Sequence, residues 1–208
     1  MSHFVVMVVG NNVDEQLERF DENLVVDKYS MGLVSEEEKQ RMIKYYESKG
    51  KGNFKTFDEC YKEFGEDWND NRWEKNNEGE WEEFSTYNPD SKWDWYQVGG
   101  RWAGMFQLKE GVKPLEPLSF SWGWTAEKRE KMKKENRADI AYKRDIANLS
   151  EIVPFAILKD DEWYERGECG WWGTVIDDKG EMTWEEEVKR IIESIEDDEL
   201  ITMVDCHI

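Results

Sequence analysis

The chain has 208 residues and a formal net charge of −20, because 48 aspartates and glutamates outnumber 28 lysines and arginines. Duplex DNA and anionic membranes would repel such a polyanion, so the charge argues against direct binding to either. The three cysteines are odd in number and far apart, which argues against a secreted disulfide framework and for a reducing cytoplasm.

The chain opens with a predicted strand. His3–Val9 is a run of mostly β-branched residues typical of a strand buried on both faces, and it is too short for a signal peptide or a membrane span. Residues 13–33 give mixed signals that favour a short helix and then an irregular segment. Ser35 and Glu38 form a capping box, which predicts a helix that extends to about Ser48.

The middle of the chain predicts a helix, an excursion and a hairpin. Aromatic residues at helical spacing predict a second helix over Thr56–Phe64. An acidic, tryptophan-containing stretch at about 66–90 lacks clean periodicity, and we expect an irregular excursion that packs on the body of the protein. Trp93–Val98 and Arg101–Leu108 resemble two strands joined at Gly99–Gly100, since two glycines supply the positive φ angles of a tight hairpin turn.

The region after this hairpin predicts a loop, a long helix and a meander. Two prolines make residues 111–124 a loop, and the residues from Thr125 to about Leu149 are expected to form a charged, mostly exposed helix. Aspartate-rich turns then separate three short strands of an expected meander. These strands are Val153–Lys159, Glu162–Glu165 and Trp172–Ile176.

The last elements complete the expected fold. A capping box from Thr183 to Glu186 predicts a helix, and Leu200–Cys206 is expected as the closing strand. The length fits one domain, or one domain with a large insertion. We expect a single α+β domain over residues 1–208, with a mixed or antiparallel sheet and helices mainly on one face. Its first and last strands should be central, adjacent and antiparallel.

The expected hairpin concentrates candidate recognition residues. Tryptophan offers a flat face and one N–H donor, and glycine lets the backbone approach a ligand closely. One interpretation is that the rings stack on a base, that Arg101 pairs with a phosphate, and that Lys92 or Asp94 binds polar edges. The alternative is a hairpin that packs on a helix, with Arg101 bonded to Asp94. The candidate residues are Lys92, Trp93, Asp94, Tyr96, Gly99, Gly100, Arg101 and Trp102.

Two adjacent tryptophans form a second candidate site. Trp171 and Trp172 lie between Gly170 and Gly173. Neighbouring side chains of a strand point to opposite faces, so we expect one of these rings to be exposed or to cover a pocket. The alternative is a ring that caps the edge of the sheet.

The two histidines, His3 and His207, lie at opposite ends of the sequence. If the first and last strands are antiparallel neighbours, His3 approaches Asp205, Cys206 and His207. Such a cluster can bind zinc or act as an acid–base pair, but the sequence lacks the Cys-x-x-Cys and His-x-x-x-His spacings. We therefore expect no metal, and a hydrogen-bonded His–Asp–His arrangement that fixes the end of the sheet and borders the pocket.

Several short blocks resemble an uncharacterised family of phage-encoded proteins. The blocks are Met1–Gly10, Tyr87–Pro89 with Lys92–Trp102, Trp163–Gly167 with Gly170–Gly173, and Val204–Ile208. Residues 13–81 carry no such resemblance. The resemblance implies a phage origin, and hence the cytoplasm of an infected bacterial cell, but no particular activity.

Three functions are compatible with these features. The first is a ligand-binding protein that captures a nucleotide-like host defence signal. The second is an acidic inhibitor that mimics nucleic acid and binds a basic host protein, although the same charge also serves solubility. The third is a nucleotide hydrolase or lyase that uses the terminal histidines. No Gly-x-Ser-x-Gly elbow, P-loop or dinucleotide fingerprint occurs, so the sequence predicts no cofactor and leaves enzymatic activity open.

Overall fold

The computed structural model describes residues 2–115, 126–169 and 174–208. Its contacts divide the chain into two compact units. The sheet unit comprises Met1–Leu24 and Asn88–Ile208, and the inserted unit comprises Val25–Tyr87. In sequence, the second unit is an insertion within the first.

The sheet unit is built around a mixed, mostly antiparallel sheet. Its elements are β1 (His3–Val9), α1 (Val13–Glu18), β5 (Trp95–Val98), β6 (Phe106–Gln107), α4 (Ala126–Lys134), β7 (Arg137–Ala138), β8 (Ile140–Tyr142), β9 (Ala156–Lys159), β10 (Glu162–Glu165), β11 (Glu168–Cys169), β12 (Val175–Ile176), α5 (Glu181–Ser194) and β13 (Leu200–His207). The main sheet has the order β10-β9-β1-β13-β5, and β8 also pairs with β13. Only β1 and β9 pair in parallel within this sheet. The expected α+β fold, with central first and last strands, is confirmed.

Both faces of β1 are buried, as its β-branched sequence predicts. Its odd-numbered residues from Val5 to Val9 share a core cluster with Trp184 and Val188 of α5. Its even-numbered residues from Phe4 to Val8 share another cluster with Leu17 of α1. Since α5 has 14 residues and α1 has six, most of this helical cover lies on one face.

The expected hairpin at Gly99–Gly100 is wrong. β5 ends at Val98, a 3-10 turn follows at Gly100–Trp102, and β6 pairs with β7 instead of β5. Gly100 has a φ of +51°, and a Cβ atom built there would lie 2.3 Å from the Cβ of Asp205. The glycines therefore allow the backbone to press against β13, where a hairpin turn was expected.

The long helix expected up to Leu149 is also wrong. α4 ends at Lys134, and Asn136 adopts a φ of +54°, which a continuing helix does not allow. The short strands β7 and β8 follow, and the buried carboxylate of Asp139 between them accepts a hydrogen bond from the Gly104 N–H. This tertiary contact outweighs the helix propensity of the charged sequence.

Two expectations near the end of the chain need correction. α5 begins at Glu181 after Gly180, so Thr183 lies inside the helix and is not its cap. β9 and β10 form the expected antiparallel pair, but β12 pairs with β11 in a separate two-stranded sheet. Residues 170–173, including Trp171 and Trp172, lie outside the described residues.

The inserted unit has regular helix and strand within the acidic stretch at about 66–90, where the sequence predicts an irregular excursion. Its elements are β2 (Tyr29–Leu33), α2 (Glu36–Ser48), α3 (Phe57–Asn69), β3 (Trp73–Lys75) and β4 (Trp81–Ser85), and the strand order is β2-β4-β3. The capping box of Ser35 and Glu38 is confirmed. Strands of three and five residues are too short to give a clear period. Trp73 packs in this unit's own core, where its backbone N–H donates to the Tyr61 hydroxyl.

In the described part of the chain, none of the helices combines the length and the apolar character needed to cross a membrane.

Candidate functional site

The pairing of β1 with β13 brings the two terminal histidines together, because His3 lies directly opposite His207. His3 Nδ1 lies 2.7 Å from Oδ1 of Asp205, and His207 Nδ1 lies 2.5 Å from Oδ1 of Asp94. The two imidazole rings meet edge to face, with centroids 5.0 Å apart. The expected approach of the terminal histidines is confirmed. It takes the form of two separate His–Asp pairs.

A third aromatic ring lies against both histidines. Trp95 stands opposite His207 on β5, stacks on its imidazole with centroids 5.1 Å apart, and meets the His3 ring edge-on at 5.3 Å. The Trp95 residue is nevertheless 43% exposed. Its ring can therefore stack on a second flat group from solvent. We call His3, Asp94, Trp95, Asp205 and His207 the histidine cluster.

Both histidines of this cluster bind a carboxylate through the same ring atom, and their side chains are 11% and 7% exposed for His3 and His207. Their Nδ1 atoms are held by carboxylates, which favours the tautomer with the proton on Nδ1 and a lone pair on Nε2. Among the described residues neither Nε2 atom has a hydrogen-bond partner, yet neither is among the fully buried unpartnered atoms. Both Nε2 atoms therefore lack a hydrogen-bond partner and keep some exposed surface.

Asp205 connects the cluster to Arg101. Its side chain is 3% exposed, and its two oxygens accept from different donors: Oδ1 from His3 and Oδ2 from the Arg101 backbone N–H at 2.9 Å. These bonds offset the cost of burying a carboxylate. The Gly100 backbone fits against the same side chain only because it lacks a Cβ.

The Arg101 guanidinium is exposed and has no ion pair or hydrogen bond within the described residues. The alternative in which Arg101 bonds Asp94 is wrong, because Asp94 binds His207. Arg101 also lines an open cavity of about 710 Å³, together with residues that include Trp102, Met105, Met132, Arg137 and Ile152. Trp102 is half-buried and packs against the core, so it forms a wall of this cavity and does not belong to the histidine cluster.

Three predicted site residues lie away from the cluster. Trp93 is 6% exposed in the core and donates its indole N–H to the Leu17 carbonyl, so the expectation that it stacks on a ligand is wrong. Tyr96 packs edge-on against Trp93 and bonds to Asp14, and burial raises the pKa of its hydroxyl. Lys92 forms an ion pair with Glu165 at 2.7 Å.

The faces of β5 explain this division. A strand that began at Trp93, as the sequence predicts, would place Trp93 and Tyr96 on opposite faces. β5 instead begins at Trp95, and both rings join the core cluster that contains Phe4. Cys206 lies on the same face of the sheet as Tyr96, and burial there raises the pKa of its thiol. Trp95 was missed, although the alternation of side chains combined with the β13 register would have identified it.

Comparison of the chain with models of protein families, with curated proteins and with solved structures gave no match. Within residues 2–115, 126–169 and 174–208, no group of three or more histidine, cysteine, aspartate or glutamate residues is placed to hold a metal ion. The cluster instead offers an exposed ring and two imidazole nitrogens without a partner, and its Asp205 binds the backbone N–H of Arg101, whose guanidinium is unpaired in the described residues.

Proposed function

We propose that this protein binds a small nucleotide-like ligand at the histidine cluster and Arg101. The observation that carries the proposal is the exposed Trp95 ring, stacked on His207, in a cluster whose Asp205 also binds the backbone N–H of Arg101. A stacked base is worth about 1–3 kcal/mol, and a charge-assisted hydrogen bond to phosphate about 1.5–3 kcal/mol. The loss of either contact should therefore lower affinity by about 5- to 150-fold.

The net charge of −20 favours a small ligand over a nucleic acid. At physiological salt the field of a distant surface charge is screened beyond about 8 Å, so a ligand with one or two phosphates experiences mainly Arg101 and the histidine cluster with its two carboxylates. A long polyanion would instead extend over the acidic surface and be repelled.

The resemblance to phage-encoded proteins gives this binding a biological setting. We propose that the protein acts in the cytoplasm of an infected bacterial cell and sequesters a nucleotide-like host defence signal. An acidic inhibitor of a basic host protein is the competing function, and the total charge alone favours it. The two functions differ in whether the purified protein carries a small molecule.

The test is mass spectrometry of small molecules released by denaturing protein purified from infected cells. A recovered nucleotide supports the proposal, whereas an empty protein favours the acidic inhibitor. The recovered nucleotide is then titrated by calorimetry into the wild type and the Trp95→Ala and Arg101→Ala variants. Arg19→Ala is the matched control, because this side chain is 60% exposed and its contacts are with Asp90 and the Phe20 ring, outside the histidine cluster. Equal affinity of all four proteins would contradict the proposed site.

A further inference from the structure

We propose that His3 and His207 are a catalytic acid–base pair that hydrolyses a phosphodiester bond of a nucleotide. This inference rests on the proposed function for the position of the substrate, and adds to it a reaction and a substrate class. It starts from the duplication of the His–Asp pair: each imidazole has its own carboxylate, bound through Nδ1, and its own Nε2 without a hydrogen-bond partner in the described residues.

A purely structural role does not account for both pairs. Backbone hydrogen bonds already close this end of the sheet, since Ser2 N–H donates to the Ile208 carbonyl at 3.0 Å and Ile208 N–H donates to the Ser2 carbonyl at 3.1 Å. The strand ends are thus fixed one residue beyond the histidines. Two carboxylates that orient two adjacent imidazoles, with both Nε2 atoms free, instead match the needs of an acid and a base acting on one bond.

The two carboxylates have different surroundings. The Asp205 side chain is 3% exposed, while that of Asp94 is 28% exposed. Asp205 also receives the Arg101 N–H, whereas Asp94 binds His207 at the more open side of the cluster. The two His–Asp pairs therefore differ in burial and in hydrogen bonding, as the two members of an acid–base pair do.

The reaction balances with water as the second reactant. The neutral imidazole accepts a proton from water at Nε2 while the water oxygen forms a bond to phosphorus. The imidazolium donates its Nε2 proton to the ester oxygen as the bond from phosphorus to that oxygen breaks. The products are a phosphomonoester and an alcohol, and proton exchange with solvent restores both rings. The Arg101 guanidinium would balance charge on the non-bridging oxygens, and Trp95 would stack on the base.

The test uses the full-length protein with bis(4-nitrophenyl) phosphate, adenosine 2′,3′-cyclic phosphate and a panel of cyclic dinucleotides. His3→Asn and His207→Asn are the key variants, because the asparagine amide can still donate to the carboxylate but cannot transfer a proton from Nε2. General acid–base catalysis contributes about 100- to 10,000-fold, so we expect kcat to fall by at least 100-fold in each variant. Thermal melting checks that both variants fold.

A second variant keeps the inference testable if either histidine variant unfolds. Asp94→Asn retains a hydrogen-bond acceptor for His207 Nδ1 on a partly exposed side chain but removes the charge that orients and stabilises the imidazolium. Asp94 is a positioning residue, so kcat should fall while KM stays within a few-fold. A merely structural role would leave kcat unchanged in any Asp94→Asn protein that still melts cooperatively.

Two measurements separate this inference from the proposed function. Calorimetry with the same nucleotides reports binding, and incorporation of one oxygen-18 atom from labelled water into the phosphomonoester reports hydrolysis. Binding without turnover of any substrate would overturn the catalytic inference and leave the proposed function standing. Neither binding nor turnover would overturn both. Turnover that survives in both histidine variants would show that other residues carry the reaction.

Discussion

At the scale of single residues, Asp205 explains why two glycines follow β5. A carboxylate buried this deeply must be fully hydrogen-bonded, and one of its donors is the backbone N–H of Arg101. That N–H reaches Asp205 only because Gly100 adopts a φ of +51° and leaves the space that a Cβ would fill. Gly100 therefore serves the His3–Asp205 pair directly.

Gly100→Ala should accordingly destabilise the protein more than an ordinary glycine substitution. Alanine at a positive φ costs about 1–2 kcal/mol, and here the added Cβ would also lie 2.3 Å from Asp205. Gly111→Ala is the matched control, because its φ is +82° and its Cβ would meet open space. We expect Gly100→Ala to lower the free energy of unfolding in urea by at least about 1 kcal/mol more than the control, since relieving the clash requires core atoms to move. Equal losses would mean that Asp205 can shift freely.

Arg101 allows ligand binding to be separated from stability. Arg101→Lys keeps the charge but loses the two-pronged guanidinium, so the affinity for a phosphorylated ligand should fall clearly, and Arg101→Ala should lower it by about 10- to 150-fold. The melting temperature should change by no more than a few degrees, because the side chain makes no ion pair in the described structure and its backbone N–H is retained. Calorimetry and thermal melting of the same two variants check this. A large loss of stability with unchanged affinity would assign Arg101 to the scaffold.

The histidine cluster could be predicted from the sequence only in part. The meeting of His3 with Asp205 follows from two apolar strands at the chain ends, whose pairing and register bury their side chains. The partner of His207 was not predictable in the same way. Asp94 lies 113 residues earlier, just before β5, and only the β13–β5 register brings it into reach.

At the scale of elements, the wrong prediction of a long helix has a physical cause: tertiary contacts outweighed the local sequence preference. The charged run after Thr125 reads as a helix because lysine and glutamate favour helices. The sequence does not reveal that Asp139 will be buried against Gly104, which requires an extended segment there. β1 and β13 were predictable because a short, continuous apolar run is typical of a strand buried on both faces.

Thr202 on β13 gives a test of this element's packing. The residue is 1% exposed, and its hydroxyl oxygen has no hydrogen-bond partner in the described structure. An unpaired buried polar group costs about 1–3 kcal/mol, and valine has nearly the same shape without the hydroxyl. Thr202→Val should raise the free energy of unfolding by about 1 kcal/mol, measured by urea denaturation.

Thr202→Ser is the control for that substitution, because it keeps the hydroxyl and removes only a methyl group. We expect the serine variant to be less stable than the wild type by about 1 kcal/mol, through loss of apolar burial and the small cavity that remains. If valine also lowered stability, the Thr202 hydroxyl would have to be paired, for example with an ordered water.

At the scale of the whole molecule, hydrogen bonds join the two segments of the sheet unit that precede and follow the insertion in sequence. The Asn88 side-chain amide donates to the carbonyls of Arg19 at 2.7 Å and Asp21 at 3.0 Å. The Lys92 N–H donates to the Phe20 carbonyl at 2.8 Å. These bonds join the two segments of the sheet unit without using any residue of the inserted unit. The inserted unit in turn has its own core of Met42, Tyr46, Cys60, Tyr61 and Trp73.

We therefore expect the sheet unit to fold when residues 25–87 are replaced by a flexible glycine–serine linker. A linker of about six residues spans roughly 13 Å on average, which is ample for chain ends tied together by Asn88. The shortened protein should melt cooperatively and should bind nucleotides as the full chain does, because the histidine cluster and Arg101 lie wholly within the sheet unit. Asn88→Ala in the same background should lower its melting temperature, since two carbonyls lose their donor. A shortened protein that lacks a cooperative transition would show that the sheet unit requires the insertion to fold.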